Sequence, residues 1–252
     1  SLTRFGGYSE MVSVPREYVM PVPKNITLEQ AAAIPVNYLT AWSMIVYLGN
    51  VRENETVLVH GAGGGVGLAA LQISLCKGAK VIGTASKSKH ERLKSMGISH
   101  CIDYRNEDFE QEVKKITNGK GVDLIIDSVG GTSFEKSYKC LAPLGRLYMF
   151  GVSSIATDKK RSILSVMSIL RKMPKFKPMS LINRNRSVAG VNIGHLWGEM
   201  DKLKGMFTEC VNLVEAGKLN PIVDKTFPFA EAAKAHDYIQ SRQNFGKVLL
   251  IP

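Results

Sequence analysis

The chain has 252 residues, 44% of them hydrophobic, a net charge of +11 and four cysteines. That supports a large core; Cys76, Cys101, Cys140 and Cys210 are too scattered, with no C-x-x-C pair, for a disulfide framework or a cysteine-rich zinc lobe, and read as the reduced thiols of a cytoplasmic protein. No apolar run reaches the roughly 20 residues of a membrane-spanning helix, and no signal-peptide pattern opens the chain. The positive charge is local: between Asp158 and Arg186 nine Lys or Arg stand against one acid, without the interleaved aromatics of a single-strand binder, which argues against nucleic acid.

In chain order, Gly7–Val14 alternates like an antiparallel strand, and Pro15, Pro21 and Pro23 punctuate an extended stretch up to Lys24. Thr27 reads as an N-cap before Leu28–Ala33, with Gln30 completing a capping box. Thr56–His60 is a buried strand type that runs into Gly61, Gly63, Gly64, Gly65 and Gly67 and then into a helix over 64–76. Strands follow at Lys80–Ser86, Val122–Asp127, Gly145–Phe150 and Arg186–Val191, with helices near 88–96, 108–117 and 132–141. A helix over 199–216, a strand at 222–227, a helix at 229–242 and a strand at Lys247–Ile251 close the chain. Apolar strands alternating with helices specify a doubly wound parallel sheet, an α/β Rossmann fold.

Strand, glycine turn and helix in that order suit a dinucleotide pyrophosphate. Glycines let the backbone approach the phosphates, and the helix N-terminus offers free N–H groups and a positive dipole end. The motif reads Ala62-x-Gly64-x-x-Gly67, with alanine in place of the first glycine. At the end of the next strand an NAD site carries Asp or Glu for the ribose 2′-OH. Here Ala85 and Ser86 stand there, followed by Lys87, Ser88, Lys89, His90 and Arg92. A hydroxyl and ammonium groups attract a 2′-phosphate that a carboxylate would repel, so the cofactor reads as NADPH. His60, at a strand end ahead of the glycines, reads as a structural histidine. No serine lies in a nucleophile-elbow pattern.

These blocks resemble the medium-chain dehydrogenase/reductase superfamily, in its zinc-independent quinone oxidoreductase branch. They are Gly7-Tyr8-Ser9-Glu10, Ala31–Pro35 through Leu39-Thr40-Ala41, Val59–Gly67, Ile102-Asp103-Tyr104-Arg105, Gly121–Asp123 through Asp127–Gly131, and Gly246–Leu250. Pro35–Ala41, Gly83–Ser86 with Lys89-His90-Glu91, and Val188-Ala189-Gly190 are similar to its vesicle amine transport type. The resemblance implies residues 1–25 as the C-terminal remnant of a GroES-like substrate domain and 26–252 as a Rossmann NADP-binding domain with a basic insertion near 153–186.

The resemblance also implies roles. Thr40 approaches the nicotinamide; Gly64, Gly65, Val66 and Gly67 cradle the pyrophosphate; Ser86, Lys89 (with Lys87 as an alternative) and Tyr104 lie on the 2′-phosphate and adenosine side. Ser128, Val129, Phe150, Gly151 and Val152 follow strand ends, and Asn244, Gly246 and Lys247 form the turn returning to the nicotinamide. Zinc dehydrogenases of the superfamily place a cysteine ligand where Val36 stands, so no metal is expected. The implied reaction is hydride transfer from NADPH to a quinone or an α,β-unsaturated carbonyl in a homodimer that pairs through strands near 186–193. No residue here is singled out as the catalytic acid or base. The alternative is an NADPH-binding protein with little turnover that works through lipid or protein binding; an enoyl-reductase module of a larger synthase is a third reading. The segment 153–186, with apolar Ile163–Leu170, reads as a lid, a dimer contact or a basic element touching anionic lipid.

Overall fold

The computed structural model describes all residues except Arg4, 157–166, Ser168 and Leu170. The described residues form two compact units, one of Met44–Ala62 and Ser74–Val191, the other of Ser1–Ser43, Gly63–Ile73 and Asn192–Pro252.

The first unit holds a six-stranded sheet because its strands are apolar along nearly every residue and can be covered on both faces. They are β1 (Thr56–His60), β2 (Lys80–Ala85), β3 (His100–Asp103), β4 (Val122–Asp127), β5 (Leu141–Met149) and β6 (Ser187–Gly190). The order is β3-β2-β1-β4-β5-β6 and every pairing is parallel. Reversal of strand order at β1 and β4 is the switch point at whose carboxyl edge such sheets bind ligands. Leu58, Ile82, Ile125 and Leu147 form the sheet's buried centre, joined by Ile102, Val113 and Tyr138. The crossovers are α3 (His90–Ser95), α4 (Phe109–Ile116) and α5 (Thr132–Lys139), with α6 (Pro178–Arg184) ahead of β6.

β5 begins four residues before the expected Gly145. Val122 pairs Leu141 but Leu124 pairs Arg146, so the extra residues bulge, and Leu144 takes a positive φ of 63° with its N–H donated to Asn185 O at 2.7 Å. β3 has no periodic signature in the sequence, because four residues are too few to show one. The apolar stretch Ile163–Leu170 falls mainly on residues outside the described set, as do the lid, dimer and lipid readings that lean on it. Of the basic residues near it, Arg186 is committed internally, donating to Tyr138 O at 2.9 Å and lying over the Tyr138 ring.

The second unit contains α1 (Leu28–Trp42), most of α2 (Gly65–Cys76), α7 (Met200–Glu215), β7 (Val223–Pro228), α8 (Ala232–Gln240) and β8 (Lys247–Ile251). α1 starts as the capping box dictates: Gln30 N–H donates to Thr27 Oγ1 at 3.2 Å and Thr27 N–H to Gln30 Oε1 at 3.1 Å. Thr27→Ala should therefore cost about 1 kcal/mol, read as a fall of roughly 2–4 °C in Tm. Buried Ala33, Ile34 and Leu39 on α1 and Leu203, Met206 and Phe207 on α7 supply this unit's core.

Two expectations are corrected here. Gly7–Val14 forms no strand: no described strand pairs with it, its residues are mostly exposed, and an extended run without a ladder partner leaves its backbone to solvent. β7 and β8 do not extend the main sheet but pair with each other in a parallel two-stranded sheet, and the half-exposed side chains of β7 are not those of a strand covered on both faces.

Candidate cofactor site

In the sheet unit, the chain leaves β1 through Gly61, at a φ of +65°, into Ala62. Ala62 replaces the first glycine of the strict motif because its methyl has a place: it lies over Gly83 of β2, where an added Cβ would fall 2.7 Å from that methyl and 2.4 Å from Ile98 Cδ1. Gly83→Ala should cost about 1–3 kcal/mol by overpacking, measured as a lower midpoint of urea unfolding, with displacement of the turn.

At the carboxyl end of β2, Ser86 is buried, with its Oγ 3.3 Å from Ser88 Oγ. Lys87 is exposed and Lys89 half-buried, both in the short helical turn that follows. No carboxylate occupies the β2 end. The acid on the neighbouring strand, Asp103, is engaged by Asn106 Nδ2 at 2.7 Å and Arg105 N–H at 3.2 Å; these bonds hold its carboxyl below the usual value against the effect of burial. Tyr104 follows it, half-buried. Ser128 and Val129 form the turn after β4, joined to the turn after β5: Ser153 N–H donates to Ser128 O at 2.7 Å, Ser154 N–H to Val129 O at 3.0 Å, and a Cβ built on Gly151 would touch Ser128 Cβ at 3.5 Å. Ser128, Val129 and Phe150–Val152 are thus brought together at one sheet edge. Gly130 must be glycine, since it has a φ of +87° and an added Cβ would lie 2.4 Å from Val152 Cγ1.

In the other unit, the first helical bond of α2 runs from Leu68 N–H to Gly64 O at 2.9 Å, so the amides of Gly65, Val66 and Gly67 precede the helix's own ladder and have no partner within it. This is the donor set an anion needs. Gly65 also permits close packing on α1, because a Cβ there would lie 2.5 Å from the buried Asn37 Nδ2. Gly246 comes to the same turn, pairing with Gly64 and donating its N–H to Gly63 O at 3.1 Å, and Asn244 Nδ2 donates to Gly246 O at 2.8 Å. Thr40 is buried with its hydroxyl donated to Val36 O at 2.6 Å. Lys247 lines a cavity of about 590 Å³ together with Ile34, Pro35, Val36 and Tyr8, and burial pushes its ammonium below the ordinary value.

Sequence reasoning missed the polar core beside the β4 turn. Asp127, fully buried, accepts from Val129 N–H at 2.7 Å, Ser133 Oγ at 2.8 Å and Ser137 Oγ at 2.7 Å. Ser137 Oγ is 3.0 Å from His60 Nε2, and His60 Nδ1 is 3.3 Å from Thr84 Oγ1. His60 is indeed structural, with Phe109 edge-on at 4.5 Å; burial lowers its pKa, and the Asp127 charge does not reverse that. Contacts between residues so far apart in the chain leave no local pattern; nor does the Tyr8 hydroxyl at 3.2 Å from His236 Nε2. All four cysteines are free thiols, and burial pushes Cys140 and Cys210 up to about 12, which rules both out as thiolate nucleophiles near neutrality. Among the described residues, no three His, Cys, Asp or Glu side chains are grouped to hold a metal.

Against this geometry, the family described as zinc-binding dehydrogenase matches residues 96–250. The chain belongs to that family, within the medium-chain dehydrogenases/reductases. It is 39% identical over its whole length to a mouse synaptic vesicle membrane protein VAT-1 homolog, of which it spans 62%. It is 32% identical to a 2-haloacrylate reductase of Burkholderia sp, of which it spans 72%. Among solved structures, a mycobacterial protein complexed with NADPH superposes with a TM-score of 0.81 at 27% identity, over 95% of this chain and 70% of that one. An NAD-dependent alcohol dehydrogenase superposes at 0.79 and 34%, over 98% and 66%. Among the described residues no helix of this family member is long and apolar enough to cross a membrane.

Proposed function

We propose that this chain is the nucleotide-binding part of an NADPH-dependent, zinc-independent reductase acting on a quinone or an α,β-unsaturated carbonyl. The observation that carries the reading is the β2 end, where Ser86 with Lys87 and Lys89 stands in place of a ribose-binding carboxylate. The nucleotide fits the residues present: Gly65, Val66 and Gly67 would bind the pyrophosphate through helix-N-terminal amides, and Ser86 and Lys89 the 2′-phosphate. Tyr104 would lie along the adenosine, and Ser128, Val129 and Phe150–Val152 would line the strand-end turns. Thr40, Asn244, Gly246 and Lys247 would serve the nicotinamide side. When bound, NADPH supplies a hydride; the residues here orient it and exclude water, and none of them is assigned as the proton donor.

Val36 supports zinc independence, because a valine side chain cannot ligate a metal. The 2-haloacrylate reductase supports the substrate class, since a 2-haloacrylate is an activated alkene conjugated to a carboxyl group. Domain boundaries at residue 25, cytoplasmic location and a homodimer pairing through β6 belong to the same proposal. The VAT-1 likeness favours, as a second reading, a nucleotide-binding protein that acts at vesicle surfaces. A screen of NADPH oxidation against quinones and enones, on the protein carrying this chain, separates the two. Turnover with at least one acceptor is expected; binding of NADPH with no turnover on any acceptor would favour the second reading.

A further inference from the structure

The buried polar groups of the sheet unit form one directional chain, and its direction follows from counting hydrogens. Asp127 offers only acceptors, so the Ser137 hydroxyl spends its single hydrogen on Oδ2, at 2.7 Å. His60 Nε2, 3.0 Å from that hydroxyl oxygen, must then be the donor, which leaves Nδ1 as an acceptor. Thr84 Oγ1, 3.3 Å from Nδ1, donates to it, and the Thr84 oxygen accepts Gly61 N–H at 3.2 Å. The other carboxylate oxygen, Oδ1, holds Val129 N–H at 2.7 Å. Thr84 also fixes the next residue, because Ala62 N–H donates to its carbonyl at 3.0 Å. One chain therefore runs from the first residues after β1, across β2, to the turn after β4, through side chains that are 0–2% exposed. In a dry interior the members of such a chain polarise one another, and a member left unpaired is costly.

We propose that Asp127, Ser137 and His60 are positioning residues for the nucleotide: the carboxylate sets the direction of the chain, and the chain sets Gly61 and Val129 at the carboxyl edge of the sheet. The inference rests on the functional reading above, since it needs those turns to touch the cofactor. Asp127→Asn tests it. The amide can keep Val129 N–H on its oxygen, but its nitrogen then faces Ser133 and Ser137 as a donor. The Ser137 oxygen then accepts from the amide, which frees the hydroxyl hydrogen to turn toward His60 and shift the imidazole hydrogen from Nε2 to Nδ1. Ser133→Ala is the control, because it removes an equally close hydroxyl from the same carboxylate but lies off the path to His60.

The readouts are the His60 tautomer, from ¹⁵N–¹H long-range correlation spectra, and the NADPH dissociation constant by calorimetry on the same samples. The expected result is Nε2–H in the parent chain and in Ser133→Ala, Nδ1–H in Asp127→Asn, and NADPH binding weakened by about tenfold or more in Asp127→Asn alone. Should Asp127→Asn fail to fold, Ser137→Ala takes its place, with NADPH expected to weaken several-fold more than in Ser133→Ala. An Nδ1–H tautomer in the parent, NADPH affinity within twofold in Asp127→Asn, or equal effects of Ser137→Ala and Ser133→Ala would each overturn the proposal. If the parent chain binds NADPH and these outcomes still occur, the relay fails and the cofactor reading stands. If the parent binds no NADPH, the cofactor reading fails and takes the positioning role with it.

Discussion

Ser86→Asp should weaken NADPH binding by about 2 kcal/mol, or roughly thirtyfold, and leave NADH binding equal or tighter. Ser86 is buried at the end of β2, with a second hydroxyl, Ser88, 3.3 Å away and Lys87 and Lys89 in the turn that follows. A carboxylate there would face the 2′-phosphate as a like charge and offer the free ribose hydroxyls of NADH an acceptor. Titrations of the variant with each nucleotide, beside a thermal melt to show that it folds, read the effect directly. An unchanged ratio of the two affinities would move the 2′-phosphate away from this strand end.

Arg146→Ala should destabilise the sheet by about 3 kcal/mol, or a fall of roughly 10 °C in Tm. Arg146 meets Glu55 with both arms, Nη1 to Oε1 at 3.1 Å and Nη2 to Oε2 at 2.7 Å, and Nη1 also donates to Asp123 O at 3.3 Å. Both side chains are mostly buried, 17% and 20% exposed, so the variant strands a carboxylate where water cannot fully replace the guanidinium. The pair also has a pH signature. Burial alone would raise the Glu55 carboxyl, but hydrogen bonds from Arg146 and the Arg52 amide outweigh it and hold the group below its ordinary 4.5. A depressed folded pKa gives stability that is complete above the unfolded value and is lost as pH falls through the folded one. The parent should therefore lose this contribution below about pH 4.5, and Arg146→Ala should flatten that part of the stability–pH curve; parallel acid slopes for the two proteins would contradict it.

Those two positions also mark what could be read from the sequence. The strand-turn-helix at 56–76, the capping box at Thr27 and the missing acid at Ser86 are local features, set by residues within a few positions of each other, and all three are present in the structure. Gly7–Val14 shows the limit of local reading: alternation describes a side-chain pattern, but a strand exists only if another strand supplies its ladder. The assignment of β7 and β8 to the main sheet failed for the same reason, since periodicity does not name a partner. The Asp127–Ser137–His60–Thr84 chain has no local signature because its successive members are 10, 77 and 24 positions apart in sequence. The family resemblance marks Gly246 only as part of a turn on the nicotinamide side; its pairing with Gly64, across most of the chain, has no local signal in the sequence. The alanine at 62 looked like a departure from the motif and became intelligible only with Gly83 opposite it.

The central claim is a nucleotide site tuned to a 2′-phosphate, and a paired titration of the chain with NADPH and NADH tests it most directly. NADPH binding at least tenfold tighter than NADH, about 1.4 kcal/mol, is the predicted result. Equal affinity for the two nucleotides, or tighter binding of NADH, would contradict it.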